Sequence, residues 1–235
     1  MKRRNAALAW AVASLMPAAW AQPAQGGQTA PSGTGGPVSP VSPVEGKHFA
    51  RLGQPSPTQP GKIEVIEFFF YRCPHCFALD PALEAWAHRL PADVAFRRVP
   101  VGQQAVLKLH QRMFYALEAV GRLTPAVHTG IFNAFHRQGI DANDEAAVVA
   151  LVGKLGVDTA KFRSAFNAFG VQAKLAQGQR LAELCGVETV PALVVAGRFR
   201  TGPGMAGTAG QSEAAQGQQA LAVADFLIQR VRRHA

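Results

Sequence analysis

Cys73-Pro74-His75-Cys76 constrains this chain more than any other segment, because of what stands on either side of it. Upstream, Ile63 to Phe70 (IEVIEFFF) is a short apolar run of β-branched and aromatic residues, the pattern of a strand buried in a sheet covered on both faces. Downstream, Cys76, Leu79, Leu83, Trp86, Ala87 and Leu90 recur at helical spacing, so a helix starts at the cysteine pair and buries one stripe. Pro81 lies inside it and is expected to kink its first turns. Val94 to Val101 (VAFRRVPV) returns as a second strand, with Pro100 near its end. The arrangement is strand, helix, strand, with two thiols at the first junction.

From Gln103 to Leu184 the strand pattern disappears. Helical stretches follow one another, each closed by a glycine: Ala105 to Val120, Pro125 to Gln138, Asn143 to Leu155, Thr159 to Phe169 and Val171 to Leu184. Strand signals return at Ala192 to Ala196, with a tight turn at Ala196-Gly197 and Arg198 to Thr201 as the hairpin partner. A last helix carries Leu221, Ala224, Leu227, Ile228 and Val231 on one face, and Arg230, Arg232 and Arg233 in its final turn compensate the helix dipole. The Gly/Ala/Gln-rich stretch from Gly202 to Gln219 lies after the hairpin and carries no catalytic signal, but it is placed to alter the client surface.

The N-terminus reads Lys2-Arg3-Arg4, then an apolar stretch from Ala6 to Met16, then Pro17-Ala18-Ala19-Trp20-Ala21. Ala19-x-Ala21 has the small-residue spacing of a signal peptidase site, so residues 1–21 are expected to be a signal peptide cleaved after Ala21; an uncleaved anchor is the alternative. From Gln22 to Glu45 the chain is rich in Pro, Gly, Ser and Gln and contains no Leu, Ile, Phe, Tyr or Trp, so residues 22–45 are expected to form a disordered tether. Over the whole chain 48% of residues are hydrophobic and 17% charged, which excludes global disorder and supplies a full core. The net charge of +9 falls to +6 without the signal. An exported chain meets envelope surfaces rather than nucleic acid, so the excess is read as a solvated surface with no nucleic-acid partner.

The cysteine pair invites redox chemistry. With Cys73 as helix N-cap, Pro74 stands at the first helical position, where a missing N–H is harmless, and the N–H groups of His75 and Cys76 can point at the Cys73 sulfur. The helix dipole and a nearby imidazole favour a thiolate, so Cys73 is expected to be the exposed, low-pKa nucleophile and Cys76, a turn inward, the buried resolving thiol. Stabilising the reduced form in this way makes the disulfide an oxidant. Other readings fit less well. Zinc needs two further ligands, and beyond the pair only Cys185 and scattered histidines are available; haem attachment needs His where Phe77 stands. A structural bridge closing so short a loop adds little stability. Cys185 itself reads as a small buried hydrophobe at a helix end.

The run FFFYRCPHC, the helix with Pro81 five residues past the second cysteine, and Gly186-Val187-Glu188-Thr189-Val190-Pro191-Ala192 together resemble the DsbA-type periplasmic disulfide oxidases of the thioredoxin superfamily. The likeness spans about residues 46–235. It implies an α/β, thioredoxin-like fold with an inserted helical domain: residues 46–103 and 185–235 forming the thioredoxin-like part, and 104–184 the insertion. It makes Cys73 the nucleophile, Cys76 the resolving cysteine and Val190-Pro191 a cis-peptide loop facing them, whose Val190 backbone pairs with an extended client segment. Glu67 matches the family's buried acid, with a raised pKa and the proton of Cys76 to carry; an exposed strand-end Glu is the alternative. Asp80 matches a second acid near the helix start, which a dipole-compensating or solvated role would equally explain.

The expectation is therefore a periplasmic thiol:disulfide oxidoreductase that donates its Cys73–Cys76 disulfide to reduced, unfolded exported proteins and uses no cofactor beyond that disulfide. The resemblance adds a DsbB-type membrane quinone reductase for reoxidation, and a monomer. The rivals are a reductase or isomerase, although residues 22–45 are too short and featureless for an isomerase's dimerisation domain, and a peptide-binding holdase whose thiols are incidental.

Overall fold

The computed structural model describes residues 42–234, so the expected signal peptide and all but the end of the expected tether lie outside the described residues. Strand β1 is Ala50–Arg51 and β2 is Ile63–Phe69; helix α1 is Pro74–Ala87 and strand β3 is Val94–Pro100. Five helices follow: α2 Ala105–Ala119, α3 Pro125–His136, α4 Glu145–Lys154, α5 Thr159–Phe166 and α6 Phe169–Leu184. The chain then returns through β4 Ala192–Val195 and β5 Phe199–Thr201, a short helix α7 Pro203–Ala206, and α8 Glu213–Arg233.

The strands form one mixed sheet in the order β1-β5-β4-β2-β3, with β2 parallel to β3 and antiparallel to β4. The parallel pair needs a crossover, and α1 supplies it. One sheet face, carrying Val65, Leu193 and Val195, is covered by Leu83 and Trp86 of α1 and Leu221, Leu227 and Ile228 of α8. The other, carrying Ile66, Phe68 and Val194, is covered by the end of α6 through Ala182 and Cys185. Both faces are thus buried, which is why β2 has no polar alternation beyond Glu64 and Glu67. Helices α2 to α6 enclose a second core around Phe114, Phe132, Val148, Val152 and Phe162, which Phe69 and Tyr71 join from the end of β2.

Three features depart from the sequence reading. The two-residue β1 pairs with β5, too short a strand to leave a periodic signal, and the buried Phe49 before it packs on Phe199. The last helix begins at Glu213, inside the Gly/Ala/Gln-rich stretch, because Ser212 accepts a hydrogen bond from the Ala215 N–H and caps it. The end of the expected tether is held by contacts: Val44 donates its N–H to His48 Nδ1, and Glu45 meets Arg51 and Arg230. Among the described residues no helix is long and apolar enough to cross a membrane.

Candidate active site

Cys73 follows the end of β2 and starts α1, while Pro191 immediately precedes β4. Because β2 and β4 are antiparallel, with Phe68 opposite Ala192, the two loops emerge side by side at one end of the sheet. The Val190–Pro191 peptide is cis. The Cys73 thiol lies 3.7 Å from the Val190 carbonyl oxygen, which it faces as donor. Gly202 is required beneath this loop, since a Cβ there would come within 2.6 Å of the Pro191 carbonyl oxygen.

Cys73 is the N-cap of α1, with extended backbone and Pro74 at the first helical position. Its Sγ accepts a hydrogen bond from the Cys76 N–H at 3.2 Å. The Cys76 thiol beside it, the N–H groups of Cys76 and His75 and the charge of His75 outweigh burial and bring the Cys73 thiol down to about 7. Burial, the Cys73 sulfur and Glu67 act in the opposite sense on Cys76, which is pushed well above the usual thiol range. Both thiols are free, as is that of Cys185. One expectation fails: Cys73 is only 3% exposed, because the Val190–Pro191 loop and the helical core cover it, and the exposed residues of the motif are Pro74 and His75. His75 Nδ1 sits 2.7 Å from a carboxylate oxygen of Glu213, the first residue of α8.

Beneath the cysteines lies a buried ionic cluster. Glu67, 1% exposed, accepts from Arg98 Nε at 2.9 Å, the two residues being opposite each other in the β2–β3 register. The same guanidinium reaches Asp80 at 3.3 Å and Glu84 at 2.9 Å. Three carboxyl groups share one buried cation, so the most enclosed holds its proton longest. Burial and the neighbouring Asp80 and Cys73 raise Glu67 to about 7 against the pull of Arg98. Asp80 is itself enclosed, not solvated, and stands past the first turn of α1, which removes a dipole role. Burial would raise it, but the His128 ring, Arg98 and the Thr129 hydroxyl hold it below the usual carboxylate range. His128 Nε2 lies 3.3 Å from Asp80, while its Nδ1 is 2.8 Å from the Tyr71 hydroxyl. Burial lowers the His128 pKa, against the opposing pull of Asp80.

The structure therefore places Cys73, Pro74, His75, Cys76, Val190 and Pro191 together, with Glu67 below them. Glu67 makes its hydrogen bond to Arg98 and acts on Cys76 through charge. Cys185 stands apart, in the cluster on the other sheet face, its thiol raised by burial. Sequence reading missed Arg98, His128 and Tyr71. Arg98 in a mostly apolar strand was a usable signal, since a strand paired with IEVIEFFF cannot bury a cation without a carboxylate opposite. For His128 there was none, because only tertiary packing brings α3 to α1.

A sheet of this order with a dithiol at a helix N-terminus, opposite a proline loop, defines a thioredoxin-fold thiol:disulfide oxidoreductase. A family model described as a DSBA-like thioredoxin domain matches residues 83–216. The chain is 37% identical over 188 residues to the thiol:disulfide interchange protein DsbA of Azotobacter vinelandii, covering 80% of this chain and 84% of that one. It is 38% identical over 189 residues to the DsbA of Pseudomonas aeruginosa, covering 80% and 85%. The crystal structure of Pseudomonas aeruginosa DsbA superposes with a TM-score of 0.75 at 35% identity, covering 81% of this chain and 95% of that one. That of the Xylella fastidiosa DsbA oxidoreductase gives 0.71 at 28%, covering 81% and 98%. The chain belongs to the DsbA family.

Proposed function

We propose that this protein is an exported oxidase working in the periplasm, which passes the Cys73–Cys76 disulfide to reduced, newly translocated proteins. In this reading a client thiolate attacks the Cys73 sulfur and the Cys73–Cys76 bond breaks. Cys76 leaves as a thiolate and takes up a proton, which Glu67 supplies. A second client thiolate then attacks the client sulfur of the mixed disulfide and Cys73 departs as a thiolate. The client gains a disulfide, and the enzyme gains two electrons.

The observation that carries the direction of transfer is the opposition between the two thiols: the Cys76 thiol and the amide donors at the start of α1 lower Cys73 to about 7, while burial raises Cys76. A stabilised Cys73 anion favours the reduced enzyme and is the better leaving group. Val190 offers backbone groups to an extended client beside the sulfur, in a groove of about 730 Å³ that His75, Pro191 and Glu213 also line. The export signal in residues 1–21 supports the location. Residues 46–103 and 185–235 act as the catalytic domain and 104–184 as a helical cover over the cysteines. The protein works as a monomer, and a DsbB-type membrane quinone reductase reoxidises it.

The test is equilibration with graded glutathione redox buffers and thiol trapping of the pair in a Cys185→Ser background. A pair that stays reduced except in strongly oxidising buffer supports the oxidase. A pair that resists reduction makes the protein a reductase or the bridge structural. A Cys73→Ser variant that retains function in cells would replace the oxidase by a holdase.

A further inference from the structure

Strand β3 is an edge of the sheet. The flanking bonds Ile63 N–H to Asp93 O and Val101 N–H to Phe69 O show that odd-numbered residues of this segment turn their amides toward β2. Alternation along a strand then points the N–H and C=O groups of Phe96 and Arg98 away from the sheet. Edges of this kind are usually covered or blunted. Here two hollows flank the edge instead. One, of about 850 Å³, is lined by Phe96 to Val99, by Leu181 and Leu184 of α6, and by Leu123. The other, of about 350 Å³, touches Val94, Phe96 and Arg98 from the side of α1. Concave surface thus follows the open edge from Val94 to Val99.

The larger hollow has two further properties. The Tyr115 hydroxyl, on a side chain only 6% exposed, borders it beside Gly178 and offers a polar group at its wall. Its rim is cationic: Arg97 is matched by Glu64 and Lys174 by Glu118, but Arg180 has no carboxylate within salt-bridge distance among the described residues. Neither hollow shares a lining residue with the groove at Val190 and Pro191.

We propose that the open edge of β3 is a docking site for an extended, acidic and apolar segment of another polypeptide, which adds as a sixth strand. Its backbone pairs with Phe96 and Arg98, its apolar side chains meet Leu181 and Leu184, and its carboxylates face Arg180. A polar group of the segment meets the Tyr115 hydroxyl. The site needs no cysteine in its partner and does not depend on which way electrons flow at Cys73.

The probe is a capped, cysteine-free nonapeptide of alternating valine and glutamate, with a version in which lysine replaces glutamate as control. The glutamate peptide is expected to slow hydrogen exchange at the Phe96 and Arg98 amides and leave Val190 unchanged, while the lysine peptide does neither. Arg180→Glu is expected to weaken binding by about fivefold or more, and Lys154→Glu, on the exposed end of α4, to leave it unchanged. Protection centred on Val190, equal binding of the two peptides, no protection at millimolar peptide, or an Arg180→Glu variant that binds like the parent would each overturn the site.

Discussion

Cys73 and Glu67 both have pKa values near neutrality, for opposite reasons and with opposite consequences. Cys73 is lowered from the ordinary 9.0 to about 7, so the stability it lends the reduced protein is fully present above pH 9, and is lost as pH falls through about 7. Its size is about 3 kcal/mol. Thiolate absorbance should therefore titrate near pH 7, and Cys73→Ser should abolish both that signal and disulfide transfer. Glu67 is raised from 4.5 to about 7, so its contribution is present below pH 4.5 and disappears as pH rises through about 7, by at most about 3 kcal/mol. Urea unfolding of the reduced protein across that window should show a falling contribution that Glu67→Gln removes. A variant with the parent's slope would show that Glu67 is ionised throughout, and proton supply to Cys76 would need another source.

At the scale of elements, the termini and the register carry the function. The Cys76 thiol and the N-terminus of α1 together stabilise the anion at Cys73, and the register of β2 with β3 sets Arg98 against Glu67. Removing Arg98 leaves buried carboxyls without their cation, so Arg98→Met should destabilise the protein by about 3 kcal/mol, as chemical denaturation would show. Gly202→Ala would drive a methyl group against the Pro191 carbonyl, backbone that cannot give way cheaply. Disulfide transfer to a model peptide should fall several-fold while the Cys73 titration stays put; loss of both would mean that the active-site helix had shifted as well. Ser212→Ala should cost about 1 kcal/mol by uncapping α8. The helices of the insertion and β2 to β5 were legible because each holds its period or its turn residues long enough to read. The turn at Ala196-Gly197 takes positive φ at both residues, as a tight hairpin demands. Strand β1 and the start of α8 were not legible, since two residues carry no period and a Gly/Gln-rich surface turn of helix offers no apolar stripe.

For the whole molecule, the dithiol belongs to the core of the helical block as much as to the sheet, since Cys73 and Cys76 pack in one cluster with Phe69, Tyr71, Phe132 and Ile131. The reduced state, which holds the stabilised anion, should accordingly be the more stable redox form above neutral pH. Comparing denaturation of the two forms at pH 6 and 9 should show the gap widening with pH. A constant gap would detach stability from the Cys73 anion.

The amino-acid sequence by itself determined the order of β2 to β5 and of the long helices, the strand-to-helix junction at Cys73-Pro74-His75-Cys76 and hence the class of chemistry, because these depend on neighbours a few residues apart. Only the tertiary structure decided that Cys73 is covered, that Asp80 is enclosed, and that Arg98 serves three carboxylates while His128 reaches Asp80 from another helix. Burial and charge are set by groups distant in the chain, and pKa values follow from burial and charge.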